Sequence, residues 1–262
     1  MAYETLTLDH AAEGVARLTL NRPKAGNAMN AKMCEELARA TIELDEDRDL
    51  RALLLTASGE KMFCAGGDLK VMHDAGAGGG ALVKHMTTGL HAAISRLARM
   101  RAPIVAAVRG FAAGGGFSLL CGCDLVIAGA SSKFTMAYTR AGLSPDGSST
   151  FFLAKIVGLR RAYELALTNR VLSAEEALDW GLVNRVVPDD EVLAISSDLA
   201  VELSRGPTAA FGATKRLLLD GTVSSLETQM ESESRAIAQA ITGGEGGEGM
   251  AAFLEKRPPR FG

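Results

Sequence analysis

The sequence predicts an α/β protein whose strands and helices alternate, followed by a helical C-terminal portion. Three short apolar runs, at 51–57, 103–108 and 125–128, have the composition of buried strands, and segments of helical length separate them. Strands joined by such crossovers pair in parallel. From about residue 148 onward the pattern favours helices almost throughout. With 262 residues, 47% of them hydrophobic, the chain can bury one sizeable core.

The elements of the first half follow from their local patterns. Val15–Leu20 alternates apolar and polar residues and precedes Asn21-Arg22-Pro23, which is typical of a strand followed by a break. Asn30 is placed to cap a helix, and a further helix is predicted over 82–100. The apolar positions that keep helical spacing in the first of these helices are Met33, Leu37, Ala40 and Leu44.

The second half carries helix start and stop signals. Ser173-Ala174-Glu175-Glu176 has the sequence of a capping box, and Gly181 and Gly206 are placed to end helices. We therefore predict two regions, an α/β core over 1–190 and a helical region over 191–262. The glycine-rich segment 76–80 predicts a flexible loop over a binding site. It also fits a dinucleotide-binding pattern, but no hydrophobic strand precedes it, so we give that pattern little weight.

Composition excludes several classes of function. The net charge is −3 and the basic residues are dispersed, so we expect no nucleic-acid partner. The first residues lack a signal-peptide pattern, and no apolar stretch reaches the roughly 20 residues that cross a bilayer. We expect a cytoplasmic protein with no membrane segment. Four cysteines and four histidines follow no disulfide, triad or metal-binding spacing, so we expect no metal site.

Two glycine clusters are the most informative motifs. Phe-Cys-Ala-Gly-Gly-Asp-Leu at 63–69 and Gly-Phe-Ala-Ala-Gly-Gly-Gly-Phe at 110–117 each join the end of a buried strand to a helix start. Glycines at helix starts leave backbone N–H groups free and allow a ligand to approach closely. Two such ends that converge would form an oxyanion hole, which stabilises negative charge on a carbonyl oxygen. The pattern alone fits two ordinary tight turns equally well.

With these clusters, further motifs make the chain resemble the enoyl-CoA hydratase/isomerase (crotonase) superfamily. They include Asn-Arg-Pro at 21–23 with Asn-Ala-Met at 27–29, Leu-Ser-Pro-Asp-Gly at 143–147, Trp-Gly-Leu-Val-Asn at 180–184 and the segment 251–261. The resemblance covers nearly the whole chain. It implies a spiral core of ββα units with a helical C-terminal trimerisation region, homotrimers or dimers of trimers, and acyl-coenzyme A thioester substrates. It implies no cofactor beyond the coenzyme A of the substrate.

The resemblance also assigns site residues. The oxyanion amides fall at Gly67 and Gly115, where they would hold the thioester oxygen of an enolate. The last two coenzyme A contacts would come from a neighbouring subunit, although a solvated surface lysine is the competing interpretation of the final one. The residues at coenzyme A positions are Lys24, Ala25, Ala65, Asp68, Leu69, Phe253 and Lys256.

Two positions argue against a simple hydratase. Ser118 and Tyr138 stand where hydratases of this superfamily have two glutamates. Their hydroxyls hold protons too tightly to replace a carboxylate base at neutral pH. We expect both side chains to line the pocket, where Ser118 would hydrogen-bond substrate or water.

Asp146 is the carboxylate that takes their place in our interpretation. Ser144-Pro145-Asp146-Gly147 resembles the segment that carries the proton-shuttling acid in double-bond isomerases of the superfamily and in the ring-epoxide isomerase of phenylacetate breakdown. Pro-Asp-Gly also fits an ordinary turn. Because both glutamates are missing, we favour Asp146 as the sole acid/base of an isomerase. The side chains expected around the acid or in the pocket wall are Phe111, Phe117, Met136, Phe151 and Phe152.

Two alternatives remain open at this point. One is a hydratase with an atypical acid/base set, and the other is a non-catalytic protein that binds acyl-CoA. Asp124 starts a predicted strand, and we expect a structural role for it.

Overall fold

In the computed structural model, which describes residues 2–261, the strands form two sheets. The larger sheet has six strands and is parallel except at one edge, where the first two strands pair antiparallel. The smaller sheet has four strands and is antiparallel only between its last two. The strands are β1 (Leu6–Ala12), β2 (Val15–Leu20), β3 (Ala52–Ala57), β4 (Met62–Cys64), β5 (Ile104–Val108), β6 (Phe111–Ala113), β7 (Leu125–Gly129), β8 (Lys133–Thr135), β9 (Leu172–Ser173) and β10 (Arg185–Val187).

Helices cover both faces of the larger sheet, whose strand order is β1-β2-β3-β5-β7-β10. The helices are α1 (Ala31–Glu46), α2 (Leu69–Asp74), α3 (Gly79–Arg99), α4 (Gly115–Cys121), α5 (Ser149–Val157), α6 (Leu159–Thr168), α7 (Ala174–Asp179), α8 (Val192–Ser204), α9 (Thr208–Gly221), α10 (Leu226–Thr242) and α11 (Gly244–Glu255). None of the helices in the described part of the chain combines the length and the apolar composition that a membrane span requires.

Three ββα units make up the core. Each of β3, β5 and β7 in the larger sheet is followed by a strand of the smaller sheet, β4, β6 or β8, and then by a helix. This is the spiral arrangement that the resemblance implies. Along β3, Leu53 and Leu55 pack in the main core with α1 and α3, whereas Ala52 and Leu54 face the opposite side. This alternation follows from the period of two in a β-strand.

Two helices begin at the capping residues that the sequence predicts. The Asn30 side chain accepts the Met33 N–H at 2.9 Å, and Ser173 and Glu176 form a complete capping box. The expected flexible loop at 76–80 is wrong. These glycines form a short 3-10 turn and the first turn of α3, with Gly79 at a helical φ of −56°. The helical C-terminal half also contains two short strands, β9 and β10.

Helix α8 packs on the face of the larger sheet opposite α1 and α3. Its Val192 and Ala200 join a second apolar cluster with Val15, Val105 and Ile127. The helices α8 to α11 lie beyond residue 190, where we placed the end of the α/β core. The division into 1–190 and 191–262 stays a prediction.

The two glycine clusters lie in backbone contact because β4 and β6, the short strands that begin them, are paired neighbours. Gly66 has a φ of +93°, and a Cβ on it would lie 2.9 Å from the Ala113 carbonyl oxygen and 3.0 Å from the Gly115 nitrogen. A Cβ on Gly116 would lie 2.5 Å from the Cβ of Cys64 and 2.6 Å from its carbonyl oxygen. Such distances exclude a side chain at either position without a shift of the backbone.

We predict that Gly116→Ala lowers the free energy of unfolding by about 1–3 kcal/mol, because the added methyl overpacks this contact. Gly247→Ala is the matched control, since a Cβ there meets no atom within 4 Å in the described structure. In a helix, that change stabilises by up to about 1 kcal/mol. Urea unfolding followed by circular dichroism measures both. Equal stability of the two variants would contradict the requirement for glycine at 116.

Candidate active site

A cavity of about 760 Å³ lies beside the two glycine clusters. Its wall is mainly apolar, and the polar groups that we expected at the site open onto it. Gly67, Gly115, Tyr138 and Asp146 all line it. The apolar part of the wall comes mostly from α2, α3 and the segment before α1, through Met29, Leu69, Met72, Val83, Met86 and Leu90.

The backbone amides of Gly67 and Gly115 are free. In the part of the chain that the structure describes, neither N–H has a hydrogen-bond acceptor. The residues on either side of Gly67 are fixed, because Met29 donates to the Gly66 carbonyl at 2.7 Å and accepts from the Asp68 N–H at 2.8 Å. Gly115 is the first residue of α4, where a helix leaves its N–H groups unpaired. The two amides therefore form a pair of donors at the cavity wall.

A chain of hydroxyl groups leads to the carboxylate of Asp146. The Tyr138 hydroxyl donates to Asp146 Oδ1 at 2.6 Å. Ser118 Oγ lies 2.8 Å from the Tyr138 hydroxyl oxygen. Because Tyr138 donates its proton to the carboxylate, its oxygen accepts from Ser118. The two positions where hydratases of the superfamily have glutamates thus hold a hydroxyl relay that ends on Asp146.

Burial keeps the neighbouring titratable groups protonated. Burial, together with the charge of Asp146, raises the pKa of Tyr138 well above its ordinary value of about 10. Burial, with a smaller contribution from Asp146, raises the pKa of Cys34 to about 12. Cys34 lines the cavity but holds its proton at neutral pH. Asp146 is the one carboxyl group among the described residues of the cavity wall.

The turn that carries Asp146 is held by contacts on several sides. The Asp146 carbonyl accepts from the N–H of Ser149 at 3.3 Å and from its hydroxyl at 2.9 Å. Gly147 donates its N–H to Nε2 of His91 at 3.1 Å, and that nitrogen lies 3.9 Å from Asp146 Oδ2. Sequence reasoning missed His91, because it lies 56 residues before Gly147 and in no recognisable motif.

Only two of the seven residues at predicted coenzyme A positions line the cavity. Ala65 and Leu69 line the cavity. The Asp68 side chain caps α2 and accepts from Arg22 at 3.1 Å, and Lys24 and Ala25 lie on a 3-10 turn outside the cavity wall. Phe253, 82% exposed, and Lys256, which follows α11, do not line the cavity either. Their roles in coenzyme A binding stay predictions.

Several expected pocket residues do not line the cavity. Ser118 is fully buried behind Tyr138, so it contacts the tyrosine and not the cavity. None of the four phenylalanines expected around Asp146 lines the cavity either. Phe117, on α4, is buried in the core, and methionine and leucine side chains supply most of the apolar wall. The other expected residues absent from the cavity wall are Phe111, Met136, Phe151 and Phe152.

Asp124 has the structural role that we expected. Its Oδ2 accepts from the Ile104 N–H at 2.8 Å and from Lys215 Nζ at 2.7 Å, so it ties β5 to α9. The structural role of Asp124 follows from its position directly before β7.

Comparison with known proteins agrees with this geometry. Residues 10–262 match the family described as Enoyl-CoA hydratase/isomerase. The 1,2-epoxyphenylacetyl-CoA isomerase of Escherichia coli K12 is 38% identical over 258 residues, which are 97% of each chain. A probable enoyl-CoA hydratase of Mycobacterium bovis is 36% identical over 261 residues, covering 100% of this chain and 99% of that protein.

Solved structures share the whole fold. The crystal structure of an enoyl-CoA hydratase from Polaromonas sp. JS666 superposes with a TM-score of 0.93 at 30% identity, covering 98% of this chain and 99% of that one. The sequence family, the two-sheet spiral and the paired glycine amides all agree. The chain belongs to the enoyl-CoA hydratase/isomerase family and has the crotonase fold.

Proposed function

We propose that this protein is an acyl-CoA isomerase that converts 3-enoyl-CoA to 2-enoyl-CoA through an enolate. The observation that carries the proposal is the position of a single carboxylate, Asp146, in the same cavity wall as the two free amides of Gly67 and Gly115. To form an enolate, a base must remove a proton from C2 of the substrate, and hydrogen-bond donors must stabilise the negative charge on the thioester oxygen. The cavity provides both from the chain itself, so the proposal requires no cofactor beyond the coenzyme A of the substrate.

In the proposed reaction, the thioester oxygen accepts hydrogen bonds from the Gly67 and Gly115 amides. These bonds strengthen as negative charge develops, which lowers the barrier to removal of a C2 proton. The Asp146 carboxylate takes that proton, and the C3–C4 double bond becomes part of a dienolate. The same carboxyl group returns the proton to C4, and the electron pair of the dienolate forms the C2–C3 double bond. One acid is sufficient because the proton is moved and not consumed.

The contacts of Asp146 support its role as the base. The Tyr138 hydroxyl donates a hydrogen bond to Oδ1 at 2.6 Å, so Oδ2 is the oxygen available for proton transfer. Hydrogen bonds to the charged form stabilise a carboxylate and fix its direction. The similarity to a 1,2-epoxyphenylacetyl-CoA isomerase supports an isomerase and adds a ring-epoxide CoA ester as a related substrate.

A hydratase is the second candidate, and the similarity to a probable enoyl-CoA hydratase supports it. Hydration of a 2-enoyl thioester requires one group to activate water and another to deliver a proton. Asp146 would be the only carboxylate for both tasks in the described cavity wall, since Tyr138 holds its proton. A non-catalytic acyl-CoA-binding protein is the third candidate. Binding alone requires neither a base nor paired amides, which argues against it.

We also propose that the protein assembles as a homotrimer or a dimer of trimers. Large apolar side chains are exposed along α10 and α11, and burial between copies would remove them from water. Association would also bring the predicted coenzyme A contacts, Phe253 and Lys256, to a neighbouring cavity. The exposed apolar residues of the two helices are Leu226, Met230, Ile237, Ile241, Met250, Phe253 and Leu254.

The first prediction for the reaction concerns Asp146→Asn. This change keeps the shape of the side chain but removes the base, so kcat for 3-enoyl-CoA falls by about 10²–10⁴-fold. Binding of a saturated acyl-CoA, measured by calorimetry, stays within a few-fold of wild type. Asp45→Asn, on the exposed side of α1, is the matched control and retains full activity. Full activity of Asp146→Asn would overturn the proposal.

Product analysis separates the three candidate functions. Wild-type protein is incubated with 3-enoyl, 2-enoyl and ring-epoxide CoA esters, and the products are separated by chromatography and identified by mass spectrometry and NMR. We expect isomers of unchanged mass. A 3-hydroxyacyl-CoA product, heavier by one water, would favour the hydratase. Thermal stabilisation by every ester with turnover of none would favour the binding protein.

The hydroxyl relay gives a graded prediction. Tyr138→Phe removes a hydrogen bond to a charged group, so kcat falls by about ten- to hundredfold, with KM nearly unchanged. The Ser118 hydroxyl lies within hydrogen-bond distance of the Tyr138 hydroxyl and of the Gly114 carbonyl oxygen, and it does not contact Asp146 directly. Ser118→Ala therefore lowers kcat by less than the first change. Steady-state kinetics of the two variants and of the double variant measure this. A larger effect of Ser118→Ala than of Tyr138→Phe would contradict the order of the relay.

Light scattering after size exclusion tests the assembly. We expect a mass of three or six chains for wild type. Ile237→Asp with Ile241→Asp places charges on the exposed apolar face of α10 and shifts the protein toward monomers, with weaker coenzyme A binding. Arg235→Asp, in the same helix, is a charge-changing control that leaves the mass unchanged. A monomeric wild type would contradict the proposed assembly.

A further inference from the structure

His91 makes a contact that the proposed reaction does not use. Its Nε2 accepts the Gly147 N–H at 3.1 Å, so this ring nitrogen carries no proton. The residue lies on α3 directly after Leu90, which lines the cavity, while the His91 side chain itself is half exposed. Gly147 is the neighbour of the proposed base. The contact therefore joins the helix that forms the cavity wall to the turn that carries Asp146.

The backbone of that turn is strained. Gly147 and Ser148 both adopt left-handed angles, with φ of +60° and +65°. A non-glycine residue such as Ser148 rarely takes such a φ, and it persists where surrounding contacts enforce it. A Cβ on Gly147 would lie 2.8 Å from the Cβ of Ser118, so the turn packs tightly against α4. The His91 acceptor is one of the contacts that hold this turn.

The two oxygens of Asp146 have different neighbours. Oδ1 accepts from Tyr138, whereas Oδ2 lies 3.9 Å from His91 Nε2, which is too long for a hydrogen bond. We propose that neutral His91 is a positioning residue: by accepting from Gly147, it holds the turn so that Asp146 Oδ2 stays free for the substrate. This inference rests on the proposed role of Asp146 as the base.

Protonation of His91 reverses the arrangement. A protonated Nε2 cannot accept from Gly147, and its charge is attracted to Oδ2 of the base. That carboxylate is the one acidic group among residues 2–261 with an oxygen within 4.0 Å of the ring nitrogens. The polar side chains one helical turn away on α3 are the neutral Thr87, Thr88 and Ser95. We therefore expect protonation to draw the base into an ion pair and to lower kcat as the pH falls.

Two substitutions separate the acceptor from the charge. His91→Gln keeps an acceptor near the position of Nε2 and cannot become charged, whereas His91→Leu removes both properties. With 3-enoyl-CoA at pH 8, we expect kcat of His91→Leu to fall about three- to tenfold at nearly constant KM, the size of one lost hydrogen bond. His91→Gln keeps kcat within about twofold and loses the part of the acidic decline in kcat that His91 causes.

The controls distinguish failure of this inference from failure of the proposed function. His85→Leu, the same change at an exposed position of α3, leaves kcat and its pH profile unchanged. If Asp146→Asn is inactive while His91→Leu matches wild type, the positioning role is overturned and the proposed reaction stands. Equal losses in His91→Gln and His91→Leu would also overturn it. An active Asp146→Asn would overturn both.

Discussion

The close approach of two glycine clusters is the constraint on which the rest of the site depends. The backbone at Gly66 lies against the Ala113–Gly115 segment, and Gly116 lies against Cys64, at distances that leave no room for a Cβ. Parallel pairing of β4 with β6 sets this contact, because it brings the chain segments after the two strands together. As a result, the amides of Gly67 and Gly115 at the cavity wall have no acceptor among residues 2–261. A fixed pair of donors stabilises charge without reorganisation during reaction.

The acid side of the site is built differently, from residues that are far apart along the chain. Asp146 lies directly before two residues with left-handed backbone angles, Gly147 and Ser148. The hydroxyl relay reaches it from one side, and a histidine of α3 lies on the other. The relay fixes one carboxylate oxygen and leaves the other free. Apolar side chains form most of the cavity wall beside these groups. The amides and the acid thus meet across one cavity, although different ββα units carry them.

The sequence predicted the features that depend on local patterns. The Asn30 cap, the Ser173 capping box and the core positions of α1 are set within a few residues, and the structure confirms them. The second sheet escaped prediction because its strands have only two or three residues each. The position of Ser118 behind Tyr138 and the contact of His91 with Gly147 depend on the packing of distant segments. No spacing in one sequence indicates such contacts.

The central claim is that Asp146 moves a proton between C2 and C4 of an enolate held by the two amides. The most direct measurement uses 3-enoyl-CoA with deuterium at both C2 positions and locates the label in the product by NMR. The account predicts 2-enoyl-CoA with one deuterium left at C2 and part of the other at C4, and no such product with Asp146→Asn. Recovery of substrate with both C2 deuterium atoms in place after incubation with the wild-type protein would contradict the account.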